Sequence, residues 1–250
     1  MEAISRLLSV LVSFDQTAEL SLAEVSRRTS LDKATALRYL VALEAEGLIE
    51  RDVRSRVYRL GLRLFQLGQV ALRSRDVPTL VLPTMRDLAQ QYRETVNLAV
   101  LSQRELILIQ VVEGPQSIRK GASIGEREQL HSTSLGKAVL AELEPEYVDP
   151  LVGNQDLPCF TTNTIESPAG LQDELRLCRC RGYAIDNEET EQGLRCVGVA
   201  LRGHNDFPRY AISISGPAER LPVSKLHQIG QDLALRVGAL QTNNSSRRTV

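Results

Sequence analysis

No stretch of this 250-residue chain approaches 18 uninterrupted apolar residues, which excludes a membrane-spanning helix on length alone. The opening MEAISRLLSVLVSF carries its apolar residues at helical spacing instead of as a solid block. No small-residue cleavage site follows it, so no secretory signal is expected. Cysteine is scarce: Cys159, Cys178, Cys180 and Cys196 neither build a disulfide framework nor show a paired C-x-x-C zinc pattern. The expectation is four reduced, mostly structural thiols in a cytoplasmic protein, with no bound metal. Histidine is scarcer still, limited to His131, His204 and His227. There is no G-x-S-x-G element, no H-E-x-x-H and no phosphate-binding glycine loop, so no cofactor is expected. Ser134-Leu135-Gly136-Lys137 does fit S-x-x-K, in which a lysine activates a serine nucleophile. Its usual companions, S-D-N and K-T-G, are absent, and the chain reads as a non-enzyme.

Net charge is nearly absent too, at −1, but it is unevenly spread. Residues 1–75 hold 12 Lys and Arg against 9 Asp and Glu, leaving 18 basic and 22 acidic residues behind them. A basic front and a mildly acidic rear suit a polyanion-binding module joined to something else. The length allows two domains of ordinary size.

In the front quarter, Ala3, Ile4, Leu7, Leu8, Leu11 and Val12 recur at spacings of three and four, as on one face of a helix. The polar DQTAEL ends it. Ser21-Leu22-Ala23-Glu24 is a capping box that starts a short helix running to about Arg28. After the turn Thr29-Ser30-Leu31, Asp32 is the next N-cap, and Ala34, Leu37, Leu40, Val41 and Leu43 carry a helical period to about Glu46. Gly47 stands where a left-handed C-cap residue belongs. Two helices joined by such a turn make a helix-turn-helix. Residues 48–51 and 57–60 alternate like two strands around a loop at 52–56, which adds a wing. Arg51, Arg54, Arg56 and Arg59 fall within nine positions there, and guanidinium groups on a hairpin tip suit phosphate or minor-groove contacts.

On the second helix this period leaves Lys33, Thr35, Ala36, Arg38 and Tyr39 outward, near the end that enters the major groove in this motif. Thr35 suits a thymine methyl or a base edge, Arg38 a guanine or a phosphate. Tyr39 suits a phosphate, or packing beneath the wing. A winged helix also binds protein in assembly factors, but the arginine-rich wing favours DNA.

Residues 61–74 resume a helical period with an apolar stripe of Leu64, Phe65, Leu67 and Ala71, a linker helix that is also a dimerisation candidate. A break near residues 76–77, before Pro78, is the domain boundary. Beyond it, helices are expected at 78–93, 134–143, 145–152, 168–181 and 223–240. Strands are expected at 96–101, 106–112, 183–187, 196–202 and 210–215. Hairpins mixed with helices indicate an α+β domain around a central antiparallel sheet flanked by helices. The organisation read from the chain is a winged helix-turn-helix over 1–60, a linker helix over 61–76, a second domain over 77–242, and a polar, disordered tail over 243–250.

Four segments resemble the IclR family of bacterial transcriptional regulators. They are LDKATALRYL (31–40) followed by Leu43 and Gly47-Leu48-Ile49; Val57-Tyr58-Arg59-Leu60-Gly61; HSTSLGKA (131–138); and RGYAIDNEE (181–189), continued by GLRCV (193–197) and AISISGP (211–217). The resemblance spans nearly the whole chain, in order. It implies a GAF- or profilin-like effector domain behind the winged helix, assembly as dimers or dimers of dimers, and double-stranded operator DNA as partner. It further implies a small-molecule effector, commonly an organic acid, held by Asp186, Cys196, Ser213 and Ser215 and by backbone groups of Ser134, Leu135 and Leu194. The wing loop, shorter and richer in arginine than in many relatives, departs from the pattern. A physical reading of the residues fits a carboxylate site. Ser134 and Leu135 open a helix whose free N–H groups attract anions. Ser213 and Ser215, two apart on a strand, share a face. Asp186 at a strand end accepts from a ligand hydroxyl or the serines, and Cys196 adds a small apolar contact. The plain alternative is that the serines satisfy each other and Asp186 caps a turn.

Overall fold

A computed structural model describes residues 2–15, 17–73, 76–153, 155–203 and 208–247. The chain divides into two compact units, residues 1–75 and 76–250, each taken by itself below. No described helix is long and apolar enough to cross a membrane.

The first unit runs α1 (Glu2–Val12), β1 (Leu20–Ser21), α2 (Leu22–Thr29), α3 (Lys33–Ala45), β2 (Ile49–Arg51), β3 (Val57–Leu60) and α4 (Leu62–Arg73). The Ser21–Glu24 capping box forms in both directions, and Asp32 caps α3 by accepting from the Thr35 N–H at 2.9 Å. Gly47, at φ 69°, closes α3 in a Schellman motif: Leu48 N–H reaches the Leu43 carbonyl and Gly47 N–H that of Glu44. The wing gains a third strand, because the DQTAEL segment ends in β1, which pairs antiparallel with β3. Two bonded residues are too short a run to carry a strand pattern of their own.

Two helix phases differ from the periodicity. In α1 the buried residue is Val10, while Ile4, Leu8 and Val12 are exposed. In α3 the inward set is Ala36, Tyr39, Leu40 and Leu43, and Leu37 and Val41 face outward. Ala36 and Tyr39, expected outward, therefore lie in the core with Val25, Ile49 and Tyr58. Apolar residues fill more than one face of both helices, so their spacing fits two rotations, and packing of α1, α2, α3 and β2 against one another selects one.

The second unit runs α5 (Asp76–Tyr92), β4 (Thr95–Ser102), β5 (Glu105–Val112), β6 (Arg127–Glu128), α6 (Ser134–Glu142), α7 (Pro145–Val152), α8 (Pro168–Arg181), β7 (Ala184–Asn187), β8 (Leu194–Arg202), β9 (Pro208–Pro217) and α9 (Val223–Arg247). The six strands form one antiparallel sheet in the order β6-β5-β4-β9-β8-β7. Its two faces bury different cores. One holds Val96, Leu98, Val197, Ile212 and Ile214 with residues of α5 and α9. The other holds Ala99, Leu106, Ala184 and Ala211 with α6 and α8. Small residues on the second face let α6 approach the sheet closely.

The tail expected to be disordered from 243 is helical through Arg247; residues 248–250 lie outside the described residues. After Gly238 no glycine or proline follows to stop α9, and polarity alone does not end a helix.

Candidate functional site

The sheet register builds the site. Thr95 lies opposite Ser215, Ser215 opposite Cys196, and Cys196 opposite Asp186. Directly opposed residues of antiparallel strands point to one face, so these four form a polar row across β4, β9, β8 and β7. Two residues along each strand, Asn97 opposes Ser213, Ser213 opposes Gly198, and Gly198 opposes Ala184. The second row sits on the same face as the first. All of Thr95, Asn97, Asp186, Ser213 and Ser215 are 1% exposed or less.

Helix α6 begins above this face. Thr133 is its N-cap, and its hydroxyl takes the Gly136 N–H at 3.0 Å. That leaves the first two N–H groups, of Ser134 and Leu135, without a helical acceptor and at the positive end of the dipole. The helix can start this low because β8 carries a glycine beneath it. A Cβ at Gly198 would stand 2.8 Å from the Ser134 carbonyl oxygen.

Hydrogen bonding in the rows is incomplete. Asn97 Nδ2 donates to Ser215 Oγ at 3.3 Å and to Ser213 Oγ at 3.5 Å, while its buried Oδ1 has no partner among the described residues. The two serine hydroxyls stand 3.5 Å apart. Asp186 Oδ1 accepts from the N–H of Glu189 at 2.8 Å and of Thr190 at 3.4 Å, so this carboxylate does cap a turn with one oxygen. Burial raises the Asp186 pKa, against the pull of those N–H groups and of Lys137. Burial likewise pushes the Cys196 thiol up to about 12, which keeps it a neutral contact. Leu194 lies two residues before Cys196 on β8, but its N–H is committed to the Glu191 carbonyl at 3.2 Å.

Four contributors were missed in the sequence: Thr95 and Asn97, which share the serines' face only through the β4–β9 register; Gly198, through its approach to α6; and Lys120, whose ammonium contacts Glu128 at 3.1 Å. Only a known strand pairing would have revealed them. Lys137, the lysine of the S-x-x-K string, is wholly buried and pairs with Glu189 at 2.5 Å and Glu174 at 3.8 Å. An ion-paired ammonium is no base for Ser134.

In the first unit, α3 presents Lys33 and Arg38 to solvent, with Thr35 half-buried. Tyr39 is only 8% exposed and packs in the core, under Arg38, whose guanidinium carbon is 5.4 Å from the ring centroid. The wing turn is organised by Asp52, whose Oδ1 accepts from the N–H groups of Arg54 and Ser55, and Arg56 adopts a left-handed φ of 58°. Arg54 and Arg56 are exposed there. Lys33, Arg38, Arg54 and Arg56 make no ion pair with described residues, whereas Arg59 is paired with Glu19 and Asp52.

Comparison with known proteins agrees over both units. The IclR helix-turn-helix domain matches residues 3–53, and the bacterial transcriptional regulator IclR C-terminal domain matches residues 69–240. The chain is 33% identical to the transcriptional repressor IclR of Escherichia coli (strain K12) over 218 residues, covering 86% of this chain and 80% of that one. It is 30% identical to the HTH-type transcriptional regulator KdgR of Dickeya chrysanthemi over 228 residues, or 91% and 73% of the two chains. The crystal structure of the Thermotoga maritima IclR superposes with a TM-score of 0.74 at 30% identity, covering 97% of this chain and 98% of that one. An IclR homolog from Microbacterium hydrocarbonoxydans, crystallised with 4-hydroxybenzoate, shares the fold with a TM-score of 0.82 at 24% identity, covering 96% and 99%. These relatives are named as regulators and repressors, not as enzymes. A helix-turn-helix domain with an exposed basic helix, followed by a six-stranded sheet that buries a polar site, places this chain in the IclR family of DNA-binding bacterial transcriptional regulators.

Proposed function

We propose that this regulator takes its signal from a small organic acid bound between the N-terminus of α6 and the polar rows of the sheet. One observation carries the reading: the first two N–H groups of α6, which have no acceptor within the helix, lie near a buried set of hydroxyls, an amide and a carboxylate in which Asn97 Oδ1 has no partner among the described residues. The acid's carboxylate seats on the Ser134 and Leu135 N–H groups and takes hydrogen bonds from Ser213 and Ser215. Its remaining polar group meets Asp186, and Cys196 supplies contact without charge. The likeness to a homolog crystallised with 4-hydroxybenzoate supports an acid of this size, although that ligand belongs to that protein.

DNA is read by Lys33, Thr35 and Arg38 of α3, with Arg54 and Arg56 of the wing on the phosphates. Tyr39 serves as the platform under Arg38. The chain acts in the cytoplasm as a homodimer or a dimer of dimers: α4 exposes Leu62, Phe65, Leu67 and Val70, more apolar surface than an isolated helix keeps. Acid and DNA affinities are then reciprocally coupled.

The test begins with duplexes selected by the full-length protein from a randomised pool, whose binding is followed by fluorescence anisotropy. Arg38→Ala is expected to lose specific binding tenfold or more while thermal shifts by acids persist. Ser213→Ala is expected to do the reverse. If Arg38→Ala keeps its operator affinity, α3 is not the reading helix. If Ser213→Ala keeps its response to acid, the effector lies elsewhere.

A further inference from the structure

Next to Thr95 of the polar rows lies a charge pair that is not part of the proposed carboxylate seat. Lys120 sits in the β5–β6 connection, and its Nζ donates to Glu128 Oε1 of β6 at 3.1 Å. The two side chains are 14% and 6% exposed. Burial works against the Lys120 ammonium, yet the Glu128 and Asp186 carboxylates hold its pKa above the ordinary value. Glu128 lies opposite Leu106, and so shares the face of the sheet that carries the polar rows.

Taking two such charges out of water costs more than their attraction returns unless their other hydrogen bonds are filled. The pair does not hold its loop, which is anchored independently. Arg220, forked onto Glu94 at 2.6 and 2.7 Å, donates to the Ile118 carbonyl at 2.9 Å, and Thr95 Oγ1 donates to the Lys120 carbonyl at 3.5 Å. These bonds fix the backbone so that the Lys120 side chain lies beside the row ending in Asp186.

Counting donors and acceptors gives the ligand chemistry. Lys120 has N–H groups beyond the one given to Glu128, and donates only. Asn97 Oδ1 is buried without a donor, and Asp186 and Glu128 each have a carboxylate oxygen beyond those with recorded bonds. Donors and acceptors along the same polar face call for groups that do both, and in a small acid those are hydroxyls. An alkyl or aromatic tail would cover the remaining Lys120 N–H groups and the second carboxylate oxygens of Asp186 and Glu128 without bonding them, which costs more than its own apolar contact returns.

We infer that Lys120 and Glu128 are a specificity-determining pair, selecting an acid whose carbon chain carries hydroxyls beyond its carboxylate and rejecting acids with apolar or aromatic tails. This rests on the acid site proposed above, and the experiment separates the two claims.

Affinities for D-gluconate, D-glycerate, pentanoate and 4-hydroxybenzoate are measured by calorimetry on the full chain, on K120M/E128L and on Ser213→Ala. Replacing a buried ion pair with apolar residues of similar size commonly preserves the fold. Should K120M/E128L not fold, Lys120→Gln, which keeps the length and removes the charge, is read in the same way. The wild type is expected to bind a hydroxylated acid at least tenfold tighter than pentanoate or 4-hydroxybenzoate. K120M/E128L is expected to lose that preference by tenfold or more and to gain affinity for pentanoate, while Ser213→Ala weakens every acid. A wild type that prefers pentanoate or 4-hydroxybenzoate overturns the pair's role and leaves the acid site standing, provided Ser213→Ala still weakens binding. So does a K120M/E128L variant with unchanged preference. If Ser213→Ala changes nothing, or no acid binds the wild type, both claims fall.

Discussion

Placing an alanine at Gly198 tests the seat of the acid without touching any group proposed to bind it. The new Cβ would stand 2.8 Å from the Ser134 carbonyl oxygen, 2.9 Å from its carbonyl carbon and 3.2 Å from its Oγ. Ordinary contact begins near 3.4 Å, so the first turn of α6 must lift by about 0.6 Å or the sheet must yield. Neither is free, because α6 is buried along nearly its whole length. Overpacking of this kind costs about 1–3 kcal/mol, and for a unit of this size 2 kcal/mol lowers Tm by roughly 4–8 °C. The displacement carries the Ser134 and Leu135 N–H groups with it. Weakening one charge-assisted hydrogen bond by 1.5–3 kcal/mol reduces affinity for the acid by about 10- to 150-fold. The assay pairs a thermal melt with titration of the acid that most stabilises the wild type, and with operator affinity measured without acid. The expected pattern is a lower Tm, a lost response to acid and unchanged DNA binding. Acid binding within twofold of wild type, in a variant with the lowered Tm, would refute the α6 N-terminus as the carboxylate seat.

Three further outcomes follow from other parts of the molecule. Cys178 and Cys196 are buried, with thiols pushed up to about 11 and 12, so at pH 8 iodoacetamide should alkylate the exposed Cys180 and Cys159 and spare the buried pair until the protein unfolds; early labelling of Cys196, read by peptide mass, would contradict its placement. Burial holds the Glu189 carboxyl up at about 7 against an ordinary 4.5, despite Lys137, so the folded state binds this proton more tightly than the unfolded one. Its contribution is therefore full below about pH 4.5 and lost as pH rises through 7, at most about 3 kcal/mol; melts from pH 5 to 8 should fall more steeply for wild type than for Glu189→Gln, and parallel curves would refute it. Phe65→Arg, on the exposed face of α4, should lower the oligomeric state seen by sedimentation, and an unchanged mass would remove α4 from the interface.

Much of the fold was legible because its local signals agree with one another. Ser21 and Asp32 as caps and Gly47 as a left-handed stop each act within a few residues, and each stands where the sequence put it. What failed was rotation and pairing. Tyr39 reads as outward when Leu37 and Val41 are taken as core, and inward when Ala36 and Leu43 are. Nothing within α3 decides between them, since the deciding contacts come from α1, α2 and β2. The two-residue strands β1 and β6 exist only by virtue of their partners, so no periodicity announces them.

The proposed acid site divides along the same line. Ser213 and Ser215 are two apart on one strand, and Ser134 opens a capped helix, so each half of the carboxylate seat is a local pattern. Asn97 and Lys120 are not. Asn97 joins the serines only because β4 lies against β9 with residue 97 opposite 213, a pairing that skips more than a hundred positions of chain. Lys120 joins because Arg220 and Thr95, one on each side, bond the carbonyls of Ile118 and Lys120. The proposed seat for the carboxylate is thus written in short motifs. The groups proposed to meet the rest of the acid are brought in by long-range contacts, where one substitution in a connection would change the ligand and leave the fold alone. On this proposal, a regulator of this build would change which acid it answers to through residues such as Lys120 and Glu128, while α6, Ser213 and Ser215 stay as they are.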